Sequence, residues 1–388
     1  MSSNPVTLAR TPLRAMKILV IQDFLRSGGT ERQSLRLAGA FAAAGHRTQL
    51  LTFRPGGALD RDPSIPATAP FERQSLQPFD LGLDWFAPGL MAAAARFAPD
   101  IVLCMGRMAN CYGAGLQAAL PIAAVISTCR TGKSLPWMFR RSLRRARYAV
   151  ANSREARDTL VATYGLPADR VSVICNSLLF PAPSSLPERD QALRAQLGAS
   201  PGTAVLLCVA MFRPEKNQRE LIEIAAGLPP GLDWQLWLAG DGPARLACES
   251  FVRQHALQNR VKFLGLRSDP RPLYSAADVA VHASWSESQS NFLIEAQAHG
   301  LPAVAYQAQG VRECFLPGQT GWEIPRGDRA GFHAALDRLL HDSPPSRASR
   351  AAQAAEFARA NFDPAQQVNA YLSLFQGLLS LAHPGNRV

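Results

Sequence analysis

The chain has 388 residues, of which 47% are hydrophobic, a size and composition typical of two globular domains. It contains 41 Lys and Arg against 30 Asp and Glu, a formal net charge of +11. No stretch of 18 apolar residues occurs, and the seven cysteines form no Cys-x-x-Cys pair. The sequence therefore predicts no transmembrane helix, no zinc site and no disulfide framework, and its cysteines are typical of buried, reduced thiols.

Strands and helices alternate along the first half of the chain. The first 15 residues have no apolar core, so we expect a disordered lead and not a secretory signal. Strands are predicted at 16–22, 48–53 and 101–105, helices at 30–44 and 90–97, and a loop at 56–77. Residues 116–120, 121–127, 148–152 and 171–176 continue the pattern. This alternation favours a parallel sheet with helices on both faces.

A proline-rich break at 181–187 separates this half from a second one with the same alternation. Strands are predicted at 205–209, 234–239, 261–263, 278–282 and 303–306, and helices at 218–226, 244–255, 331–340, 347–361 and 365–381. Two such halves predict an α/β chain with two Rossmann-like domains facing a cleft. The predicted organisation is a lead (1–15), an N-terminal domain (16–180), a linker (181–202), a C-terminal domain (203–365) and a final helix (366–388).

Two glutamates eight positions apart, Glu287 and Glu295, form the most informative pattern. A strand and a polar loop precede the helix that carries Glu295, and Gly-Leu-Pro ends that helix. Glu287 therefore falls at the carboxyl end of a strand, where open α/β sheets bind ligands. The helix begins near Ser290 and Asn291 and presents backbone N–H groups to phosphate or sugar oxygens, while the two carboxylates accept hydrogen bonds from hydroxyls.

Cations and glycines suited to a diphosphate occur in two loops. Gly28 and Gly29 lie between the first strand and the first helix, where they allow a phosphate to approach the backbone closely. Arg213 and Lys216 follow the first strand of the second half and supply a guanidinium fork and a point charge.

These segments together resemble the large glycosyltransferase 4 family of retaining enzymes, which have a Glu, seven residues, Glu motif and a Gly-Gly-x-Glu-Arg loop. The resemblance implies the GT-B fold, in which the final helix crosses back to the first domain, and a nucleotide-diphosphate sugar as donor. It assigns the ribose hydroxyls to Glu295 and the donor sugar hydroxyls to Glu287. It assigns stabilisation of the leaving diphosphate to Lys216, Arg213 and the amides of Gly28 and Gly29. No metal and no cofactor are expected, because protein cations replace the metal.

The resemblance extends to other loops and also shows departures. Leu266 and Arg267 lie in a segment whose backbone reads the nucleotide base, and Gly310 lies in another loop of the cleft. Met211 stands where the family usually has an arginine. Many relatives have a histidine after the strand at 101–105. Here the candidates for the donor sugar or acceptor are Arg107, Asn110 and, in a later loop, Arg130.

All of the excess positive charge lies in the first half: residues 1–180 contain 22 Lys and Arg against 11 Asp and Glu, a net of +11, and residues 181–388 contain 19 of each. Part of it lies beside an apolar patch that suits an anionic membrane surface. The residues concerned are Trp137, Phe139, Arg140, Arg141, Arg144 and Arg145. A solvated, arginine-rich helix face is the alternative, and no motif supports nucleic-acid binding.

The sequence as a whole predicts a retaining glycosyltransferase that transfers a sugar to a glycan or lipid-linked acceptor in cell-surface polysaccharide or lipopolysaccharide biosynthesis. We expect it in the cytoplasm or peripherally on the inner face of the cell membrane. The alternatives within the fold are a sugar-nucleotide epimerase, a phosphorylase and a non-catalytic GT-B scaffold.

Overall fold

The computed structural model describes residues 14–60, 70–178, 180 and 189–382. Most of the predicted lead and residues 181–188 of the predicted linker lie outside these ranges. The chain folds into two compact units. The first comprises Met1–Ser127, Arg141–Arg147 and Phe375–Val388, and the second comprises Thr128–Arg140 and Tyr148–Leu374. The domain boundaries drawn from the sequence stay a prediction.

The first unit is built on parallel strands in the order β3-β2-β1-β4-β5. These strands are β1 (Lys17–Gln22), β2 (Arg47–Thr52), β3 (Glu72–Ser75), β4 (Ile101–Cys104) and β5 (Ala124–Cys129), the last of which ends in the second unit. The helices are α1 (Gly29–Ala43), α2 (Leu90–Phe97), α3 (Arg107–Cys111) and α4 (Gly113–Ala119). The central strand β1 pairs with β2 and β4, so Ile18 lies between Thr48 and Ile101.

Strand β3 corrects the sequence prediction, which assigned 56–77 to a loop. Its four residues, Glu-Arg-Gln-Ser, are polar and lack the alternation that identifies a half-buried strand. β3 lies at the edge of the sheet beside β2, where its side chains are exposed or half-buried. Pairing with a neighbour, which the local sequence does not encode, makes it a strand.

The second unit contains the parallel pair β6 (Tyr148–Ala151) and β7 (Val171–Val173), and a six-stranded sheet in the order β10-β9-β8-β11-β12-β13. The strands of that sheet are β8 (Ala204–Val209), β9 (Trp234–Ala239), β10 (Val261–Gly265), β11 (Val279–His282), β12 (Ala303–Tyr306) and β13 (Gly321–Ile324). The helices that follow α4 are α5 (Trp137–Arg145), which spans the boundary between the units, α6 (Arg154–Ala162), α7 (Gln191–Gln196), α8 (Gln218–Ala226), α9 (Arg245–Gln254), α10 (Arg271–Ala276), α11 (Asn291–Ala298), α12 (Arg329–Leu340), α13 (Pro344–Phe362) and α14 (Pro364–Ala382).

Both faces of the six-stranded sheet are covered by apolar cores. One contains Leu293 of α11 and Phe362 of α13, and the other contains Leu221 of α8 and Phe332 of α12. β8 and β11 are neighbours at the centre of the sheet. All four residues of β11 are buried, so the loop that follows His282 starts from a rigid position. The predicted α/β architecture, with parallel sheets flanked by helices, is confirmed.

The end of α14 belongs to the first unit. Phe375 packs edge-on against Phe41 of α1, with ring centroids 5.4 Å apart, and both side chains are fully buried. Aromatic pairs in this geometry add to the stabilisation that burial of their area provides.

Candidate functional site

A lysine and a glutamate from two loops of the second unit meet at the carboxyl ends of β8 and β11. Lys216 ends the short 3-10 turn Pro214–Lys216 after β8, and Glu287 lies in the loop between β11 and α11. The Lys216 Nζ atom is 2.5 Å from Glu287 Oε1. The tertiary fold therefore joins two residues that sequence analysis predicted separately, at the edge where parallel sheets bind ligands.

His282 is a third member of this cluster, and sequence analysis missed it. The Nε2 atom of this buried residue is 2.7 Å from the same oxygen, Glu287 Oε1. Burial by itself raises the pKa of Glu287, but the Lys216 ammonium and the His282 hydrogen bond outweigh it and hold the pKa below its usual value. Glu287 is therefore a carboxylate. As the last residue of an apolar strand, His282 carried no sequence signal that distinguished it from a core residue.

The two loops are also joined through their backbones. The Glu215 carbonyl oxygen accepts hydrogen bonds from the Trp285 amide and the Ser284 hydroxyl, each at 3.0 Å. The Glu215 carboxylate pairs with Lys133 Nζ at 2.6 Å. These contacts hold the backbone beside Lys216 to the loop that carries Glu287.

Segments that follow β5, β6 and β7 also contact the Glu287 loop. After β6, Asn152 accepts a 2.5 Å hydrogen bond from the Ser288 hydroxyl. After β7, the backbone N–H of Asn176 donates to Gln289 Oε1 at 2.6 Å. After β5, Gly132 packs on the backbone of Glu287 itself. None of these contacts was predicted, because the partners lie more than a hundred residues apart in the chain.

The start of α11 is held by its own side chains. Ser290 is the N-cap residue, and its hydroxyl oxygen accepts from the Leu293 amide at 3.5 Å. Asn291 Oδ1 accepts from Asn176 Nδ2 at 2.8 Å. Both predicted donor-binding side chains therefore make protein contacts that fix the first turn of the helix.

Glu295 lies in the second turn of α11 with a buried tyrosine beside it. The Tyr274 hydroxyl donates to Glu295 Oε2 at 2.7 Å. Burial and the neighbouring carboxylate raise the pKa of Tyr274 well above its usual value, so the phenol stays protonated. Tyr274 also stacks on His299 at 4.9 Å between ring centroids. The position of the Glu295 carboxylate is thus set by α10 as well as by α11.

The loop after β12 requires glycine at position 310 for two reasons, its backbone conformation and its close approach to a neighbouring loop. The φ of Gly310 is +72°, and a Cβ atom there would lie 1.8 Å from the Ser288 carbonyl oxygen. Its amide donates to Glu155 Oε2 at 2.7 Å. The loop therefore packs closely on the Glu287 loop and is fastened to α6.

The remaining predicted residues of the second unit differ in exposure. The side chains of Arg213, Leu266 and Arg267 are exposed to solvent, and Met211 is half-buried. Arg130 makes hydrogen bonds within the protein: its guanidinium donates to Asn176 Oδ1 and, at 2.8 Å, to the Tyr371 hydroxyl. Arg130 thus supports Asn176, which in turn braces the Glu287 loop.

In the first unit, Gly28 is the N-cap residue of α1 and Gly29 is its exposed first residue, as predicted for the first βα loop. Arg107 opens α3. Asn110 was a candidate for substrate contact, but its side chain is buried and its Nδ2 atom donates to the Gly106 carbonyl oxygen at 2.8 Å. Its amide therefore supports the helix it belongs to.

Asp23, at the end of β1, was not predicted. Its carboxylate accepts hydrogen bonds from the Met108 amide at 3.0 Å and the Ala109 amide at 2.6 Å, and so caps α3. Burial raises the pKa of Asp23 to about 6, against the lowering effect of these two hydrogen bonds.

The arginine-rich helix α5 requires a correction. Trp137 is 68% exposed, but Phe139 is only 1% exposed and cannot contact a membrane surface. The side chains of Arg140, Arg141, Arg144 and Arg145 are exposed. Arg140 Nε donates to the Leu135 carbonyl oxygen at 2.8 Å. Helical periodicity explains the difference, because Phe139 and Leu143 share the inner face of the helix.

No helix within the described residues has the length and apolar character needed to cross a bilayer. Nor does any group of three or more His, Cys, Asp or Glu side chains among them have an arrangement suited to a metal ion.

Two protein-family descriptions match the chain on either side of the proline-rich break. Residues 27–178 match the family described as Glycosyltransferase Family 4, and residues 189–357 match the family described as Glycosyl transferases group 1. The second match contains Lys216, Glu287 and Glu295.

Similar proteins include the lipopolysaccharide core biosynthesis glycosyltransferase LpsE of Rhizobium meliloti (strain 1021). It is 32% identical over 150 residues, which are 39% of this chain and 43% of that protein. The alpha-D-kanosaminyltransferase of Streptomyces kanamyceticus is 30% identical over 233 residues, 58% of this chain and 59% of that protein. The chain therefore matches less than two thirds of the length of these relatives.

Among solved structures, Anabaena Alr3699/HepE in complex with UDP and glucose resembles this chain with a TM-score of 0.78. The alignment covers 93% of this chain and 99% of that chain at 24% sequence identity. At this level of identity, the likeness concerns the fold.

Proposed function

We propose, from the premise that this chain belongs to glycosyltransferase family 4 and has the GT-B fold, that it transfers a sugar from a nucleotide-diphosphate sugar to a glycan or lipid-linked acceptor with retention of anomeric configuration. The observation that carries the proposal is the contact between Lys216 and Glu287 at the carboxyl ends of β8 and β11. A cation for a leaving phosphate and a carboxylate for sugar hydroxyls stand side by side there.

Each residue of the cluster has a place in this reaction. Glu287, held as a carboxylate, accepts hydrogen bonds from hydroxyls of the donor sugar. Lys216 and the exposed Arg213 stabilise the negative charge that develops on the leaving diphosphate. Glu295, oriented by Tyr274, accepts from the ribose hydroxyls.

Retention follows if the acceptor attacks the face that the diphosphate leaves. The bond between the anomeric carbon and the diphosphate oxygen breaks, the bond to the acceptor oxygen forms, and the acceptor proton passes to the departing phosphate. Glu287 as a covalent nucleophile fits less well, because Lys216 and His282 lower the pKa of its carboxylate and so make it a weaker nucleophile. In this proposal protein cations, and not a bound metal, supply the positive charge.

The similar proteins suggest the donor and the process. HepE was crystallised with UDP and with UDP-glucose, which makes UDP-sugars the first donors to test. LpsE is named for lipopolysaccharide core biosynthesis, which supports a role in cell-surface polysaccharide assembly. We place the chain in the cytoplasm, where nucleotide sugars are made, with Trp137 and the exposed arginines of α5 as candidates for contact with the anionic inner face of the membrane.

The test is thermal stabilisation by a panel of nucleoside diphosphates and their sugars. A ligand that binds the folded state raises the melting temperature. We expect one nucleotide to stabilise the native chain selectively and to lose its effect in Glu295→Ala. Glu356→Ala, which removes an exposed glutamate from α13, is the matched control and should respond as the native chain does.

Product analysis then separates the possible activities. Transfer to an acceptor with the anomeric configuration of the donor supports the proposed reaction. Isomerisation of the sugar on the nucleotide, without an acceptor and without release of the nucleoside diphosphate, would instead indicate an epimerase. If no nucleotide or nucleotide sugar stabilises the chain, the non-catalytic scaffold becomes the better interpretation.

A further inference from the structure

The environment of His282 differs from that of a packed core histidine. It ends β11, is 1% exposed, and lies 5.8 Å from the Phe292 ring between centroids. Burying an imidazole costs free energy unless its polar atoms are hydrogen-bonded. Its Nε2 atom has Glu287 as partner, whereas its buried Nδ1 atom has none among the described residues. The hydrogen bond between Nε2 and Glu287 therefore offsets part of the free-energy cost of burying the His282 side chain.

The partner determines where the proton lies. A carboxylate oxygen only accepts hydrogen bonds, so the Nε2 atom must carry a hydrogen and donate it to Glu287 Oε1. Lys216 Nζ donates to the same oxygen at 2.5 Å. Over the described residues, no donor contacts the other carboxylate oxygen, Oε2. Two donors thus fix one oxygen and leave the second available to a sugar hydroxyl.

The shared oxygen also matters for Lys216. A lysine that alone neutralised a buried carboxylate would be held to it by strong attraction in a poorly solvated site. With His282 donating to Oε1 as well, the carboxylate keeps a partner when the ammonium turns toward a phosphate. Glu287 Oε1 would therefore keep its hydrogen bond from His282 if Lys216 moved to another partner.

We propose that His282 is a positioning residue of the transfer reaction: it fixes the Glu287 carboxylate through Oε1, presents Oε2 to the donor sugar, and frees Lys216 for the diphosphate. This inference rests on the proposed function and adds a residue to it. His282 acts through Glu287 and touches no reacting atom.

The test compares His282→Leu, which removes the donor, with His282→Gln, whose amide N–H restores one. UDP-glucose, GDP-mannose and ADP-glucose are each supplied without acceptor, and release of the nucleoside diphosphate is followed. In His282→Leu we expect kcat to fall about tenfold or more while KM for the donor stays within about threefold, and in His282→Gln we expect most of kcat to return. Affinity for the free nucleoside diphosphate, which carries the charge of the leaving group, should fall in His282→Leu, because Lys216 then stays held by Glu287, and should return in His282→Gln.

His46→Leu is the matched control. His46 is also buried and accepts a 3.2 Å hydrogen bond from the Met16 amide, but it belongs to the first unit and has no contact with Glu287. It should lose stability and keep its kcat.

The outcomes separate this inference from the function on which it rests. If the native chain consumes a donor and His282→Leu does so with native kcat, the positioning role is overturned and the proposed function stands. The role is also overturned if the Leu and Gln variants lose activity and melting temperature equally, since His282 would then be structural only. If the native chain consumes none of the three donors and no nucleotide or nucleotide sugar raises its melting temperature, the proposed function fails and this inference fails with it.

Discussion

Gly132 packs directly against the peptide of Glu287: a Cβ atom at position 132 would lie 2.0 Å from the Glu287 carbonyl oxygen. The two residues are far apart in sequence, and the backbone of the candidate sugar-binding glutamate is set by the absence of a side chain in a distant loop. Real Cβ atoms do not approach a carbonyl oxygen this closely, so any substitution at 132 must displace one of the two loops.

The first prediction follows from this contact. Gly132→Ala should destabilise the fold by roughly 1–3 kcal/mol through overpacking and should lower turnover by shifting Glu287. Thermal unfolding and donor turnover measure the two effects. Gly231→Ala is the control, because a Cβ at 231 meets no atom within 4 Å. Equal behaviour of the two variants would show that the Glu287 loop moves without consequence.

The second prediction concerns the Lys216–Glu287 pair. Lys216→Met leaves a buried carboxylate without its cation, which raises the pKa of Glu287 and should cost roughly 3–5 kcal/mol of unfolding free energy. Adding Glu287→Gln should recover part of that stability, since the unpaired charge is gone, but none of the activity. Chemical denaturation of the single and double variants measures the coupling, and additive losses would contradict a direct interaction.

The third prediction is the pH dependence due to Asp23. Its folded-state pKa, raised to about 6 from 3.8, means that the folded chain holds a proton between these values that the unfolded chain has released. This contribution therefore destabilises the fold as pH rises from about 4 to 6, by roughly 3 kcal/mol in total. The measurement is the unfolding free energy of the native chain and Asp23→Asn from pH 4 to 8. The native chain should lose stability relative to the variant across that interval, and parallel curves would contradict the raised pKa.

The fourth prediction separates the two aromatic residues of α5. Phe139→Ala should cost about 3–5 kcal/mol of stability because a buried ring is lost, whereas Trp137→Ala should change stability little. If α5 contacts a membrane, the native chain should sediment with anionic liposomes at low salt, and Trp137→Ala combined with Arg141→Ala and Arg144→Ala should weaken this. Failure of the native chain to sediment would reject the membrane contact.

The sequence determined the architecture, because alternating apolar runs and amphipathic segments define parallel α/β elements locally. It also predicted Glu287, Glu295 and Lys216 as candidate site residues, because they lie beyond the carboxyl ends of strands, where parallel sheets bind ligands. Prediction failed at the polar edge strand β3, because the pairing that makes it a strand is not encoded locally. It also failed at Phe139, which helical periodicity places with Leu143 on the buried face of α5.

Only the tertiary structure decided which residues meet Glu287. His282 and Asn152 lie at the ends of predicted strands, and nothing in the sequence predicts that Gly132 contacts Glu287. A hydrogen bond or a steric contact between distant segments leaves no periodicity in the chain. The geometry of the site depends on three loops after β5, β6 and β7 that arrive at one place, and that arrival is a property of the packed sheets and not of any single segment.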